Sequence, residues 1–427
     1  MSSDAPEQAH GGAPGEGERD KETVLRRQDP PFLSKLMYAS YMYSIKGVLA
    51  PIWWLRDWGE HYNPPPGRPN IVKTYECRPG LPVRIFFPSS YDQSSPATLP
   101  TLFTIHGGGF CVGHIRDDDE WNRAFADKHN ILVIALNYRK APTHPFPTAP
   151  HDIEALLLAL LADESLPVDR NNTRTAILGF SAGGNLALSA VQLPSIRSHP
   201  LRPAAAISVY GCLDLSVPPH EKLRNRPWKP HLPAPRGDSR DALICLAPAF
   251  DWSYIPYGHD LRDPLLSPHY APRARLPRYV CLVGAELDML AHESWRMACR
   301  LSREGGDADG NGNGRKREVP DRGSERVEER VCGSVDGRAT AGKGELVGIP
   351  GGEGKEDERF AFEENFPGQE GGGGVKWLLV PDVVHGFDNP RVRALVGGKE
   401  AIEDAVLKTE AYTAELARWL KEVVWKV

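Results

Sequence analysis

Two glycine-rich stretches hold the residues best suited to chemistry. Gly179-Phe180-Ser181-Ala182-Gly183 is a G-x-S-x-G pattern, and His106-Gly107-Gly108-Gly109-Phe110 lies upstream of it. The first pattern marks a serine carried on a tight strand-to-helix turn, where its hydroxyl stands free to attack a carbonyl. The second lets the chain bend so that backbone N–H groups converge on one oxygen. Ser181 is therefore the candidate nucleophile. The N–H groups of Gly107, Gly108 and Ala182 are the candidate oxyanion donors, with His106, Gly109, Gly179 and Gly183 shaping the two turns. Together they point to acyl transfer by an activated serine.

Such a turn needs a strand before it and a helix after it. An apolar run at 175–178 precedes Gly179 and a helix-like stretch at 185–193 follows Gly183, while 101–105 is an apolar run directly before His106. The same rhythm recurs along the chain. Strands are expected at 71–77, 82–87, 131–137, 204–209, 279–283 and 376–380, and helices at 120–128, 149–162, 291–303 and 401–424. The first two runs flank Arg78-Pro79-Gly80 and read as an antiparallel hairpin pair. The later runs are apolar without alternation, as in strands buried on both faces. Strand alternating with helix implies an α/β fold with parallel crossovers in a twisted sheet and helices on both faces.

The bulk composition excludes several classes. With 427 residues, 41% hydrophobic and 25% charged, the chain is of ordinary globular type, and its net charge of -5 gives no reason to expect nucleic acid as a partner. No two of the seven cysteines have C-x-x-C spacing, so neither a zinc site nor a disulfide framework is expected. Residues 1–28 read as a disordered tail without the apolar core of a secretory signal, and a cytoplasmic location follows as the expectation. Asn171-Asn172-Thr173 is a formal glycosylation sequon that carries no weight without such a signal.

From 29 to 427 a single domain is expected, with cap elements at about 29–66 and 216–275. The run 32–55 is rich in aromatic residues, but Lys35 and Lys46 interrupt it and Pro51 would break a continuous helix. A helix over the active-site mouth or against the core is expected there, with no membrane span and no firm membrane association. The segment 303–374 holds 19 of the 41 glycines and dense charge, and it reads as a disordered insertion in a surface loop.

These motifs resemble the hormone-sensitive-lipase-like branch of the α/β-hydrolases, the esterases with an H-G-G-G loop. Asn137-Tyr138-Arg139-Lys140-Ala141-Pro142 through Pro147 is similar to that family's Y-R-x-A-P-E-x-P-F-P block, and Asp263-Pro264-Leu265-Leu266-Ser267-Pro268 to its D-P-x-x-S-P segment. The resemblance implies an α/β-hydrolase fold with an antiparallel start and a cap, and a triad that needs no cofactor or metal. It implies His385, in Val384-His385-Gly386-Phe387, as the base. It implies Asp288 as the acid, with Glu286 and Asp251 as alternatives. Asp288 and His385 are 97 residues apart; removing 303–374, which is 72 residues long, leaves 25, close to the family's spacing. Phe180 departs from the family, which commonly has Asp before the nucleophile, and it changes the polarity beside the turn. The implied activity is hydrolysis of a small-molecule carboxylic ester with a short-to-medium acyl group. A non-catalytic binding protein on this scaffold, an amidase or deacetylase, and a lipase are the alternatives.

Overall fold

Strands that are apolar at nearly every position need cover on both faces, and the sheet at the centre of this molecule has it. The computed structural model describes residues 24–170, 174–222, 242–306, 342–349, 358–366, 372–396 and 398–427. Its strands are β1 Ile71–Lys73, β2 Val83–Phe86, β3 Thr101–Ile105, β4 Leu132–Leu136, β5 Thr175–Phe180, β6 Ala205–Val209, β7 Tyr279–Ala285, β8 Ala361–Phe366 and β9 Gly373–Val380. They form one sheet in the order β1-β2-β4-β3-β5-β6-β7-β9-β8. β1 and β2 pair antiparallel, β2 meets β4 antiparallel, and β4, β3, β5, β6, β7 and β9 run parallel. β8 closes the far edge antiparallel to β9.

The helices are α1 Phe32–Tyr62, α2 Asp119–His129, α3 Thr148–Ala162, α4 Ala182–Ala190, α5 Pro194–Arg197, α6 Pro219–Lys222, α7 Ala242–Tyr254, α8 Ala291–Gly306, α9 Pro390–Val396 and α10 Lys399–Arg418. Successive strand residues alternate between two cores. Phe103, Ile105 and Ile177 pack with Ile153 of α3, Leu186 of α4 and Trp295 of α8. Leu102, Ala176 and Leu178 pack on the other face with Trp121 and Phe125 of α2 and Tyr412 and Leu416 of α10. The parallel strands thus all end at one edge of the sheet, where ligands meet open α/β folds. Three loops leave that edge after β5, β7 and β9, and each carries one candidate triad residue.

Several sequence expectations need correction. α1 runs through Pro51 without a break. Contacts on both sides of the proline hold the two halves in line against the same body. Tyr38 lies 6.4 Å from Trp252 ring to ring before it, and Trp53 lies 5.8 Å from His114 after it. α1 meets the core through few residues: among its described side chains Met42 alone is fully buried, with Tyr38 packed against the same cluster.

The segment 303–374 is not one unstructured insertion. α8 continues to Gly306, β8 occupies Ala361–Phe366, and β9 begins at Gly373. The acidic centre of β8 misleads because its partners are distant in sequence. Lys376 of β9 is buried with its Nζ 3.0 Å from Glu363 and 2.6 Å from Glu415, and Arg418 reaches both carboxylates. The rest of that expected insertion, at 307–341, 350–357 and 367–371, lies outside the described residues. So do residues 1–23 of the expected tail, the sequon at 171–173, and 223–241 of the second cap element.

Candidate active site

The serine turn is made by close backbone approach. A Cβ on Gly179 would lie 1.9 Å from Gly183 O, and a Cβ on Gly183 would lie 2.1 Å from Ile105 O. Only glycine fits at either position. Between them Ser181 has φ 54° and ψ -118°, a conformation that costs a non-glycine residue roughly 1–3 kcal/mol. The surroundings hold it there: Ser181 N–H donates to Val209 O at 2.9 Å, and Ser181 O accepts from Gly184 N–H at 2.9 Å.

Two polar side chains on α4, and Gln192 just past its end, fix the helix behind the serine. Asn185 Nδ2 donates to Cys212 O at 2.7 Å and Leu266 O at 2.8 Å, Ser189 Oγ to Leu265 O at 2.6 Å, and Gln192 Nε2 to Pro264 O at 2.8 Å. The Asp263–Pro268 segment is therefore a strap tied to α4 through its carbonyls.

The structure brings Ser181, His385 and Asp288 into one row. His385 Nε2 is 2.9 Å from Ser181 Oγ, and His385 Nδ1 is 2.7 Å from Asp288 Oδ2. Asp288 is buried, and its Oδ1 accepts the N–H of Leu290 at 3.0 Å. Both alternative acids are placed elsewhere. Glu286 Oε2 accepts the N–H of Asp382 at 2.8 Å, and burial pushes this carboxyl up to about 7. Asp251 lies on α7, where burial pushes it to about 6.

The glycine loop after β3 borders the serine. A Cβ on Gly107 would sit 3.2 Å from Ser181 Cβ, so this backbone runs alongside the candidate nucleophile. Gly108 has φ 112°, and its O accepts from Val112 N–H at 2.9 Å, which closes the loop. Ala182 is the first residue of α4, so its N–H has no acceptor within the helix. His106 faces away from this chemistry. Its Nδ1 is 2.7 Å from Gly107 O, its ring stacks on Tyr138 with centroids 4.5 Å apart, and burial holds its pKa well below the usual imidazole value. Tyr138 OH also donates to Gly107 O at 3.2 Å, so the Asn137–Pro147 block acts by clamping the loop. Among the described residues, no group of three or more His, Cys, Asp or Glu side chains is placed to hold a metal ion.

Phe180 is buried, edge-on to Trp121 at 5.1 Å and 6.3 Å from the Tyr210 ring. Next to it is a group that sequence reasoning missed. Tyr210 packs edge-on against His385 with centroids 4.8 Å apart, and its hydroxyl donates to Asp388. Tyr412 OH donates to the other oxygen of that carboxylate and accepts the Trp121 Nε1–H at 2.7 Å. Burial raises the pKa of Asp388 above the ordinary carboxylate range. Asp388 stands three residues after His385, but its two tyrosine partners come from just after β6 and from α10, and no local pattern joins them. Glu293, in the segment after Asp288, is a second anchor. Its Oε1 accepts the N–H of Leu213 at 2.6 Å, and its Oε2 pairs with Lys222 at 2.5 Å.

Residues 102–311 match the family described as having the α/β-hydrolase fold. The arylesterase of Saccharolobus solfataricus is 30% identical over 234 residues, covering 53% of this chain and 68% of that protein. The arylacetamide deacetylase of Oryctolagus cuniculus is 35% identical over 132 residues, covering 30% of this chain. The chain spans about a third (32%) of that deacetylase and 56% of the acetyl-hydrolase of Streptomyces hygroscopicus. Among solved structures, the hyperthermophilic esterase of Pyrobaculum calidifontis superposes with a TM-score of 0.53 at 19% identity, covering 83% of this chain and 86% of that one, a likeness of fold. The chain belongs to the α/β-hydrolase family, in its hormone-sensitive-lipase-like branch.

Proposed function

We propose that this protein hydrolyses small-molecule carboxylic esters with short-to-medium acyl groups by a Ser181–His385–Asp288 triad. The observation that carries the reading is the row of contacts, 2.9 Å from His385 Nε2 to Ser181 Oγ and 2.7 Å from His385 Nδ1 to Asp288. Ser181 Oγ attacks the ester carbonyl carbon as its proton passes to His385 Nε2. Asp288 keeps the other ring proton on Nδ1 and stabilises the imidazolium. The carbonyl oxygen becomes an oxyanion that the N–H groups of Gly107, Gly108 and Ala182 receive, and each such donor lowers the barrier by roughly 2.7–4 kcal/mol. Collapse of the tetrahedral species breaks the bond to the alcohol, which leaves with the proton from His385. Water activated by the same histidine then releases the acid and restores Ser181. The arylesterase named among the relatives supports this reaction class.

Turnover of p-nitrophenyl esters of increasing acyl length tests the reading. Hydrolysis is expected to be fastest with short chains, and Ser181→Ala should lose on the order of 10⁶ in kcat. A well-folded wild type that turns over no ester would move the weight to a binding protein on this scaffold. The likeness to arylacetamide deacetylase favours a second reading, hydrolysis of an aryl amide through the same oxyanion. Comparable kcat/KM on 4-nitroacetanilide and p-nitrophenyl acetate would support it.

A further inference from the structure

Helix α1 wears its polarity inside out. Lys35, Lys46, Arg56, Asp57 and Glu60 all lie on the side turned toward the protein. Lys35 pairs with Asp29 at 2.7 Å, and Lys46 Nζ donates to Ala141 O. Arg56 meets Asp117 at 2.9 Å, while Arg116 binds Asp57 at 3.1 Å and also Glu60. Among the described side chains, the opposite arc of the helix bears no charge. There Phe32, Leu33, Val48, Trp54, Leu55 and Trp58 are each more than half exposed. A surface helix ordinarily does the reverse and hides its apolar stripe.

We propose that this outward arc docks α1 lengthwise on the surface of a phospholipid bilayer. At 1.5 Å per residue a 31-residue helix is about 46 Å long and about 11 Å wide, an arc of roughly 500 Å². That is a large exposed patch for a monomer, of the size that marks interaction sites. A second copy is the poorer occupant. Two such arcs together offer only about 1,000 Å², less than the roughly 1,200–2,000 Å² of stable interfaces. Two helices also cross at an angle and touch over part of their length, whereas a bilayer surface takes the whole arc at once.

The side chains fit the same occupant. Tyr41, Tyr43, Trp54 and Trp58 combine an apolar ring with a polar tip, the combination favoured at the headgroup boundary, beside aliphatic residues that enter the acyl region. No described helix is long and apolar enough to cross a membrane, so α1 lies in the interface plane. Its inner side rests on the loop that follows the oxyanion glycines, through Trp53 against His114 and Arg56 against Asp117. Docking therefore sets the candidate active site beside the lipid, where esters of low water solubility collect.

Co-sedimentation of the full chain with phosphatidylcholine vesicles tests the proposal, with p-nitrophenyl acetate turnover read on the same samples. Wild type is expected to pellet with vesicles and to stay bound in high salt, since apolar burial drives the contact. The combined variant Leu33→Ser, Trp54→Ser and Leu55→Ser should bind at least about tenfold more weakly, with unchanged turnover in vesicle-free buffer. If that variant melts early, the pair Leu33→Ser and Val48→Ser serves instead. Wild type left in the supernatant, or variants that pellet as well as wild type, would overturn the proposal. So would a vesicle-free dimer of wild type that the same substitutions split, which would assign the arc to a second copy. Loss of esterase activity in wild type alone would sink the proposed reaction and leave the docking result standing.

Discussion

A single added carbon separates the serine turn from helix α1. At Gly183 a Cβ would lie 2.1 Å from Ile105 O, while at Gly47 or Gly59 of α1 it would meet nothing within 4 Å. At the turn every neighbour constrains the next: strap carbonyls hold α4, α4 holds Ser181, and Val209 O fixes its N–H. Along α1 one described side chain is fully buried, on the inner side, and the outward face is open. Chemistry that depends on tenths of an ångström is placed where strand ends and glycines leave no slack. The helix can vary on its outer face with little effect on fold, and that face is available to a partner.

This contrast can be tested in steps. Asp288→Asn should leave the fold intact and lower kcat by about 10⁴, because the histidine then takes the wrong tautomer; ester turnover of a variant with wild-type circular dichroism checks this. Gly183→Ala forces a Cβ into backbone and should destabilise the protein by more than about 3 kcal/mol, with activity lost in parallel, as read by a urea unfolding midpoint.

Glu286 is next in size. Its folded pKa of about 7 is above the usual value, so the unfolded chain gives up this proton first as pH rises. Stability from this group is greatest below about pH 4.3, falls between there and about 7, and is level above. Glu286→Gln should flatten that slope by on the order of 1–3 kcal/mol across the window, measured by urea midpoints from pH 4 to 8. Leu36→Ser on the outer face of α1, where the side chain is 58% exposed, should change stability by no more than about 0.5 kcal/mol. A larger loss would mean that α1 is held in the fold through its outer face.

Legibility in the sequence follows the same division. The serine turn and the glycine loop are readable because their backbone geometry is dictated within five residues, by glycines that nothing else can replace. The sheet was readable because strands buried on both faces must be apolar throughout. His385 and Asp288 depended on family resemblance, since 97 residues separate them and only the folded chain brings them together. The Tyr210–Asp388–Tyr412 group had no sequence signal, for its members meet only when β6, α10 and the loop after β9 converge. β8 was hidden because Glu363 looks like a solvated charge until Lys376 and Arg418 are placed beside it. The polarity of α1 was unreadable for a simpler reason: composition and spacing show two faces but do not say which one is turned to water.

The central claim is that Ser181 is a nucleophile activated by His385. Treating the protein with a fluorophosphonate and mapping the adduct by peptide mass tests it most directly. The expected result is one phosphonyl group on Ser181, with ester turnover lost in proportion to labelling and no adduct in His385→Ala. Full ester turnover in protein whose Ser181 is completely labelled, or labelling that is equally fast without His385, would contradict the account.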